Sequence, residues 1–400
     1  MRGFARFVER ELVIAPLVEP AAELSAAETR RYGRHLILPG MGPDGQKRLK
    51  NARVLVIGAG GLGSPVLTYL AAAGVGTIGI VDDDVVDESN LHRQVIHGQS
   101  DLGRLKVDSA ADSISEINPF VKVEKHPFRV DTSNALQLFA DYDLVIDGTD
   151  NFASRYLIND AAVILKKPEV WGSIFQFTGQ TAVFWAEHGP NYRDVFPVPP
   201  GPGQVPSCAE GGVLGVLVSS IGSIMATEAV KLITGIGEPL IGRLLVHDAR
   251  AMTYSTIPIS GSGERVTELL DDYEAFCGVT DDSEEPTRDE IAITVSQLKT
   301  WLDQRATGQR DFILVDVREP GERAINRIEG SVLMPPAQFF TGQALEKLPS
   351  DQRVVLYCRS GVRSATCLEI IRNAGFTDAV HVDGGVNAWI AEIEPHQITY

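Results

Sequence analysis

Four apolar residues in a row, 54–57, run straight into Gly58-Ala59-Gly60-Gly61-Leu62-Gly63. An unbroken apolar run of this kind reads as a strand buried on both faces, and the glycines turn it into a helix that starts near Leu62. Lacking Cβ atoms, Gly58, Gly60, Gly61 and Gly63 let backbone N–H groups approach an anion, and the N-terminal end of the helix dipole adds partial positive charge there. Such a strand, turn and helix hold phosphate. By itself the turn does not choose between NAD and ATP, and a tight structural turn uses the same residues.

Residues beyond the turn narrow the choice. A second apolar strand, 76–81, ends in Asp82-Asp83-Asp84, where a carboxylate accepts from ribose hydroxyls in either nucleotide. Beyond it stand Asn90-Leu91-His92-Arg93-Gln94 and then Lys106. Two fixed cations have little use at a dinucleotide site, but suit a triphosphate whose charge must be neutralised during attack. A third strand, Leu144–Asp147, leads into Gly148-Thr149-Asp150-Asn151 at a strand's C-terminal end, where open α/β sheets bind ligands; Asp150 is the candidate Mg²⁺ ligand there.

These motifs, in this order, resemble the E1-like adenylating enzymes of the MoeB/ThiF type, which activate ubiquitin-like sulfur carriers; the resemblance covers about 22–254. It implies a doubly wound, mainly parallel α/β sheet of Rossmann type, with ATP and Mg²⁺ as cofactors. It also implies Gly58, Gly60, Gly61 and Gly63 at the phosphates, Asp82 and Asp84 at the ribose, and Asn90 and Asn151 at the nucleotide. Arg93 and Lys106 would stabilise developing charge. Arg34 would reach a phosphate across a dimer interface, so a homodimer with shared sites is expected. Many relatives carry two Cys-x-x-Cys pairs that bind zinc; here 191–194 and 261–264 contain no cysteine, and no structural zinc is expected. Cys208, just before an expected helix 214–234, resembles the cysteine that in such activators forms a thioester or mixed disulfide with the carrier. The helix dipole would favour its thiolate, while a small apolar residue closing the helix start explains it equally well.

A second chemical site lies near the C-terminus. An apolar strand, 354–357, empties into Cys358-Arg359-Ser360-Gly361-Val362-Arg363, with a helix after it. A cysteine at a strand's end, with loop amides curling round it and a helix starting behind it, sits in an anion nest that favours the nucleophilic thiolate, and Arg359 and Arg363 add positive charge. Phosphatases of related fold separate Cys and Arg by five residues, to enclose a phosphate; here four intervene, a smaller ring suited to a persulfide sulfur. With Asp316-Val317-Arg318-Glu319, Gly330-Ser331-Val332 and 384–389, this loop resembles the single-domain rhodaneses over about 292–394. The whole chain therefore resembles the MoeZ type, an adenylyltransferase fused to a C-terminal α/β rhodanese domain. The implied reaction has two stages. The Gly-Gly tail of a carrier is adenylated by ATP, and a Cys358 persulfide, charged by thiosulfate or a persulfide protein, then attacks the acyl-adenylate to give the thiocarboxylate. An NAD-dependent oxidoreductase with a regulatory rhodanese rests on the glycine turn alone and leaves Arg93 and Lys106 without work.

The expected domain limits are 1–21 for an N-terminal extension, 22–254 for the adenylation domain, 255–290 for a Gly-, Ser- and acid-rich linker that drapes over the first domain, and 291–400 for the rhodanese. The stretch 188–208 reads as an irregular loop over the site. A net charge of -17 argues against nucleic acid or an anionic membrane as partner. No apolar run is expected to span a membrane, 1–20 lacks a signal-peptide core, and a cytoplasmic location is expected. Four cysteines are too few for a disulfide framework in 400 residues, so reduced thiols are expected. Cys277 in the linker and Cys367 on the helix after the Cys358 loop read as packed.

Overall fold

The computed structural model describes residues 14–21, 23–200, 212–263, 266–277 and 291–400. The chain forms two compact units, the first closing at Cys277. Its sheet is built from β1 (Arg53–Ile57), β2 (Thr77–Val81), β3 (Lys122–His126), β4 (Leu144–Asp147), β5 (Glu169–Phe175), β6 (Thr178–Phe184), β7 (Arg243–Asp248) and β8 (Thr253–Pro258), in the order β3-β2-β1-β4-β5-β6-β7-β8. The first five in that order are parallel and the last three pairings antiparallel. The apolar runs are continuous because helices cover both faces. Val54 and Val56 enter one core with the helices Gly63–Ala73 and Gly215–Thr234, while Leu55 and Ile57 enter the other with Phe152–Ile164. Each such side chain, taken out of water, contributes about 1.5–3 kcal/mol.

Several expectations are corrected. Strand β3 lies at the sheet's edge, where Lys122, Glu124 and Lys125 hide it from an apolar reading. Helix Gly215–Thr234 is long and apolar enough to cross a membrane, contrary to the expectation, but Leu217, Ile221, Met225 and Ile233 are buried in the core of the sheet. The sheet runs past 254 through β8, and Tyr273 and Cys277 pack into the first unit's core, so the first unit extends well into the expected linker. Burial pushes the Cys277 thiol up.

Inside the expected irregular stretch 188–208 lies a short helix, Tyr192–Val195, capped at Asn191 by its own side chain and Asp194. Asp194 Oδ1 also accepts from the Ser262 amide at 2.7 Å, tying together the two cysteine-free segments 191–194 and 261–264. Arg193 forks onto the fully buried Asp160 with two 2.7 Å bonds, and the Tyr273 hydroxyl donates to the same carboxylate at 2.6 Å.

At the sheet's centre Glu169 is 1% exposed and neither carboxyl oxygen has a hydrogen-bond partner. Burial first, then the neighbouring Asp147 and Asp160, push its carboxyl well above the usual range, against the attraction of Arg155. The native state therefore keeps a proton that the unfolded chain loses above about pH 4.3, so this group's contribution to stability falls as pH rises until the native group ionises too. Glu169→Gln is expected to match the wild type near pH 4 and to become progressively the more stable of the two as pH rises above that, as read from urea unfolding at pH 4.5, 6 and 7.5.

The second unit holds β9 (Ala292–Ile293), β10 (Phe312–Asp316), β11 (Ser331–Leu333), β12 (Arg353–Tyr357) and β13 (Ala379–Val382), in the order β11-β10-β12-β13-β9, all parallel. Val355 and Tyr357 of β12 face one core, and Val354 and Leu356 the other, which also holds Cys358 and Cys367. Burial pushes the Cys367 thiol up to about 12, in keeping with a packed residue.

Candidate active site

The strand order of the first sheet reverses between β1 and β4, and a cleft of about 450 Å³ opens where their C-terminal ends part. Gly58, Gly60, Gly61, Asp82, Asp84, Arg93, Lys106, Asp150 and Asn151 all line it, brought together from four loops. Gly58 has φ +91°, open to glycine at little cost. Gly63 does not line the cleft: a Cβ there would sit 1.8 Å from the Gly58 carbonyl oxygen, so this glycine serves close helix-to-strand packing rather than phosphate. Asn90 ends a short 3-10 turn and Arg34 is exposed on the helix Gly33–Leu36; neither lines the cleft of the single chain.

Within the cleft the phosphate loop is clipped at Ala59. Its amide donates to Asp82 Oδ2 at 2.8 Å, and its carbonyl accepts from His97 Nε2 at 2.9 Å. His97 Nδ1 then accepts from the Ser109 hydroxyl at 2.8 Å, on the helix Lys106–Ile117. Burial lowers the His97 pKa and so keeps the neutral tautomer this pattern needs. Burial raises that of Asp82, opposed by Lys106 and by the amides of Asp84 and Ala59. Lys106 is 6% exposed and pairs with Asp84 Oδ2 at 2.7 Å. One carboxylate oxygen of Asp84 is thus spent on Lys106, while the side chain stays largely exposed in the cleft. Arg93 donates to the Ser89 carbonyl at 2.9 Å and to His92 Nε2 at 2.8 Å.

Asn151 caps the helix Phe152–Ile164, its side-chain oxygen accepting from the Ser154 amide, which leaves its NH₂ for a ligand. Asp150 is exposed and takes no hydrogen bond or ion pair among the described residues. A hard carboxylate standing free beside a phosphate cradle fits Mg²⁺.

Two cleft residues, and one buried behind the phosphate loop, escaped assignment from sequence. Arg155, 7% exposed, donates to the Thr149 carbonyl at 3.1 Å; its spacing of four from Asn151 on one helix was the available signal. Gln94 is 4% exposed with an unpartnered Oε1 in the cleft wall. His97 had no signal, because an isolated histidine looks the same wherever it packs. Its replacement should loosen the loop: His97→Ala is expected to raise KM for ATP about tenfold in pyrophosphate exchange, with His97→Gln, whose amide also donates and accepts, recovering part of it.

In the second unit, β12 delivers Cys358 to the start of the helix Val362–Asn373. The thiol is 1% exposed, with the Gly361 amide donating to Sγ at 3.1 Å and the Ser364 hydroxyl 3.6 Å away. Gly361 needs its φ of +106°, and a Cβ on Gly385 would lie 2.5 Å from the Cys358 carbonyl oxygen, which accepts from the Val386 amide. Ser360 and Val362 face solvent. The arginines were expected simply to add positive charge. Instead Arg363 is 6% exposed and forks onto Glu322, while Arg359 lies over the Tyr400 ring. Glu322 and Tyr400 were missed because their partners are 41 residues away in sequence. Cys208 lies outside the described residues.

The ThiF family model matches residues 32–266, and that of the rhodanese-like domain 294–392. The chain is 57% identical over 393 residues to a probable adenylyltransferase/sulfurtransferase MoeZ of Mycobacterium tuberculosis, covering 97% of this chain and 99% of that one. A sulfur carrier protein adenylyltransferase of Thermus thermophilus is 52% identical over 63% of this chain and 97% of its own. An adenylyltransferase and sulfurtransferase MOCS3 of Drosophila ananassae is 36% identical over 93% and 86%. Among solved structures, E. coli MccB with MccA-N7isoASN shares the fold of 58% of this chain and 72% of its own, at a TM-score of 0.53 and 20% identity. With one family model spanning more than half its length and relatives matched almost end to end, the chain belongs to the ThiF family, with a rhodanese-like domain behind it: an adenylyltransferase and a sulfurtransferase in one polypeptide.

Proposed function

We propose that this enzyme adenylates the C-terminal Gly-Gly carboxylate of a ubiquitin-like sulfur-carrier protein and then converts it to a thiocarboxylate with sulfur carried on Cys358. The observation that carries the reading is the cleft itself, where a clipped phosphate loop, Arg93, Lys106 and an Asp150 without a hydrogen bond or ion pair among the described residues meet in the same chain as a cysteine whose sulfur accepts from the Gly361 amide. The carrier carboxylate attacks the α-phosphate of ATP, and pyrophosphate leaves. Nothing in the cleft need act as a nucleophile; the residues position and neutralise. Asp150 would hold Mg²⁺, which neutralises phosphate charge. Arg93 and Lys106 take the charge growing on the leaving pyrophosphate, and Arg34 joins them from the second subunit of a homodimer.

At the second site the Cys358 thiolate attacks the sulfane sulfur of thiosulfate, sulfite leaves, and a persulfide remains; a persulfide protein can load it likewise. The terminal sulfur of the persulfide then attacks the acyl carbon, AMP leaves, and the resulting acyl disulfide is cut by a thiol to release the thiocarboxylate. Cys208 is one source of that thiol. Free thiols at Cys277, Cys358 and Cys367 suit a reducing, cytoplasmic setting.

Carriers of molybdenum cofactor and of cysteine biosynthesis both fit this chemistry. Incubating the enzyme with ATP, thiosulfate and each Gly-Gly-ended small protein of its organism, and weighing the products by mass spectrometry, identifies the substrate by a gain matching oxygen replaced by sulfur. No such gain with any carrier, together with no carrier-dependent pyrophosphate exchange, would overturn the reading in favour of the NAD alternative.

A further inference from the structure

Tyr400 lies beyond the stretch that matches the rhodanese-like family, yet it meets one arginine of the Cys358 loop, Arg359, directly and the other, Arg363, through Glu322. Its hydroxyl donates to Glu322 Oε1 at 2.6 Å and accepts from Arg318 Nη1 at 3.1 Å. Glu322 in turn accepts both terminal nitrogens of Arg363 at 2.8 Å each. The Arg359 guanidinium lies 4.9 Å from the centre of the Tyr400 ring and donates to the Tyr400 carbonyl. The segment leading to it is fastened as well, since Asn326 Nδ2 donates to the Ile398 carbonyl at 2.7 Å and the Arg327 amide to Gln397 Oε1 at 3.3 Å. Arg318 is itself fixed, fully buried, forking onto Asp316 and bonding Asn326. One residue thus joins a rigid buried node to the two cations that follow the thiol in sequence, to Arg359 directly and to Arg363 through Glu322.

We propose that Tyr400 is a positioning residue for sulfur loading: it holds Arg359 directly and Arg363 through Glu322, so that their charge draws an oxyanion-bearing sulfur donor to Cys358. The inference rests on Cys358 as the sulfur-carrying residue. The physical need is plain, because a thiolate and a donor such as thiosulfate repel each other, and fixed cations beside the nucleophile offset that repulsion. An arginine freed from its platform spreads over many rotamers and gives up most of that fixed field. Burial on its own would raise the Glu322 carboxyl, but its bonds from Arg363, Tyr400 and the Glu319 amide bring it below the usual range, so the carboxylate stays charged and keeps Arg363 in place.

The test uses the full-length enzyme with thiosulfate as donor and cyanide as acceptor. Tyr400→Leu, which loses ring and hydroxyl, is expected to raise KM for thiosulfate about tenfold while kcat stays within about threefold. Tyr400→Phe, which keeps the ring, should fall between this variant and the wild type. A second readout separates positioning from mere support of the fold. Alkylation of Cys358, monitored peptide by peptide, should slow about fivefold with anionic iodoacetate in Tyr400→Leu and remain unchanged with neutral iodoacetamide. Equal slowing with both reagents, or an unchanged KM in both variants, would overturn the proposal. Wild-type transfer by Cys358→Ser would instead overturn the assignment of Cys358, and the role of Tyr400 with it.

Discussion

Cys358→Ser is expected to lose sulfur transfer from thiosulfate by at least about a thousandfold, while carrier-dependent pyrophosphate exchange stays within about twofold of the wild type. A hydroxyl in place of the thiol has almost no anionic fraction at neutral pH and forms no persulfide, so nothing accepts the sulfane sulfur. The neighbouring thiol cannot stand in. Cys367 is 1% exposed and burial, the largest cause, pushes its thiol up, so it carries little thiolate at neutral pH even without Cys358 beside it. Cys277 is likewise buried, with its thiol pushed up. The substitution is nearly isosteric and leaves the Gly361 amide with an acceptor, so the second unit should keep its unfolding midpoint. The check is a pair of assays on one preparation, sulfite release from thiosulfate and exchange of labelled pyrophosphate into ATP, with Cys208→Ser measured alongside. Loss of both activities together would mean that the labour is not divided between the two sites.

Sequence was most informative where burial is continuous and where one residue type alone fits the backbone. β1 and its glycine turn, and β12 running into Cys358, were legible because parallel strands covered on both faces are apolar at every position. Gly63 stands apart from the other three glycines, which line the cleft, since a Cβ on it would run into the Gly58 carbonyl. The edge strand β3 and the exposed β8 carry no comparable run, and most of β8 fell in the expected linker. Contacts across long separations were invisible: Tyr273 reaches Asp160 over 113 residues and Tyr400 reaches Glu322 over 78. The pairing of Asp84 with Lys106 was hidden for a related reason, because acidic residues after a strand look alike until one is seen paired.

Lys106→Ala is expected to lower the adenylation rate by about a hundredfold to a thousandfold, more in kcat than in KM for ATP. The ammonium sits in the cleft wall, 6% exposed, with Asp84 holding one of its three donor directions at 2.7 Å. The remaining two are available to oxygens that gain charge only as pyrophosphate separates, and such an interaction acts on the transition state more than on bound ATP. Asp84 is itself 69% exposed in its side chain, so losing its partner costs little there, and the larger electrostatic change falls on Asp82, whose carboxyl loses the attraction of Lys106 and is pushed further up. Asp84→Asn keeps the cation but loosens its aim, and should cost about tenfold in the same assay. Lys106→Arg should restore little, since a planar, longer guanidinium cannot occupy the point that a buried ammonium fills. Initial rates of carrier-dependent pyrophosphate exchange across ATP concentration separate kcat from KM for each variant. Wild-type exchange by Lys106→Ala would show that the cleft does not grip a triphosphate, and the adenylation chemistry assigned to it would have to be moved elsewhere.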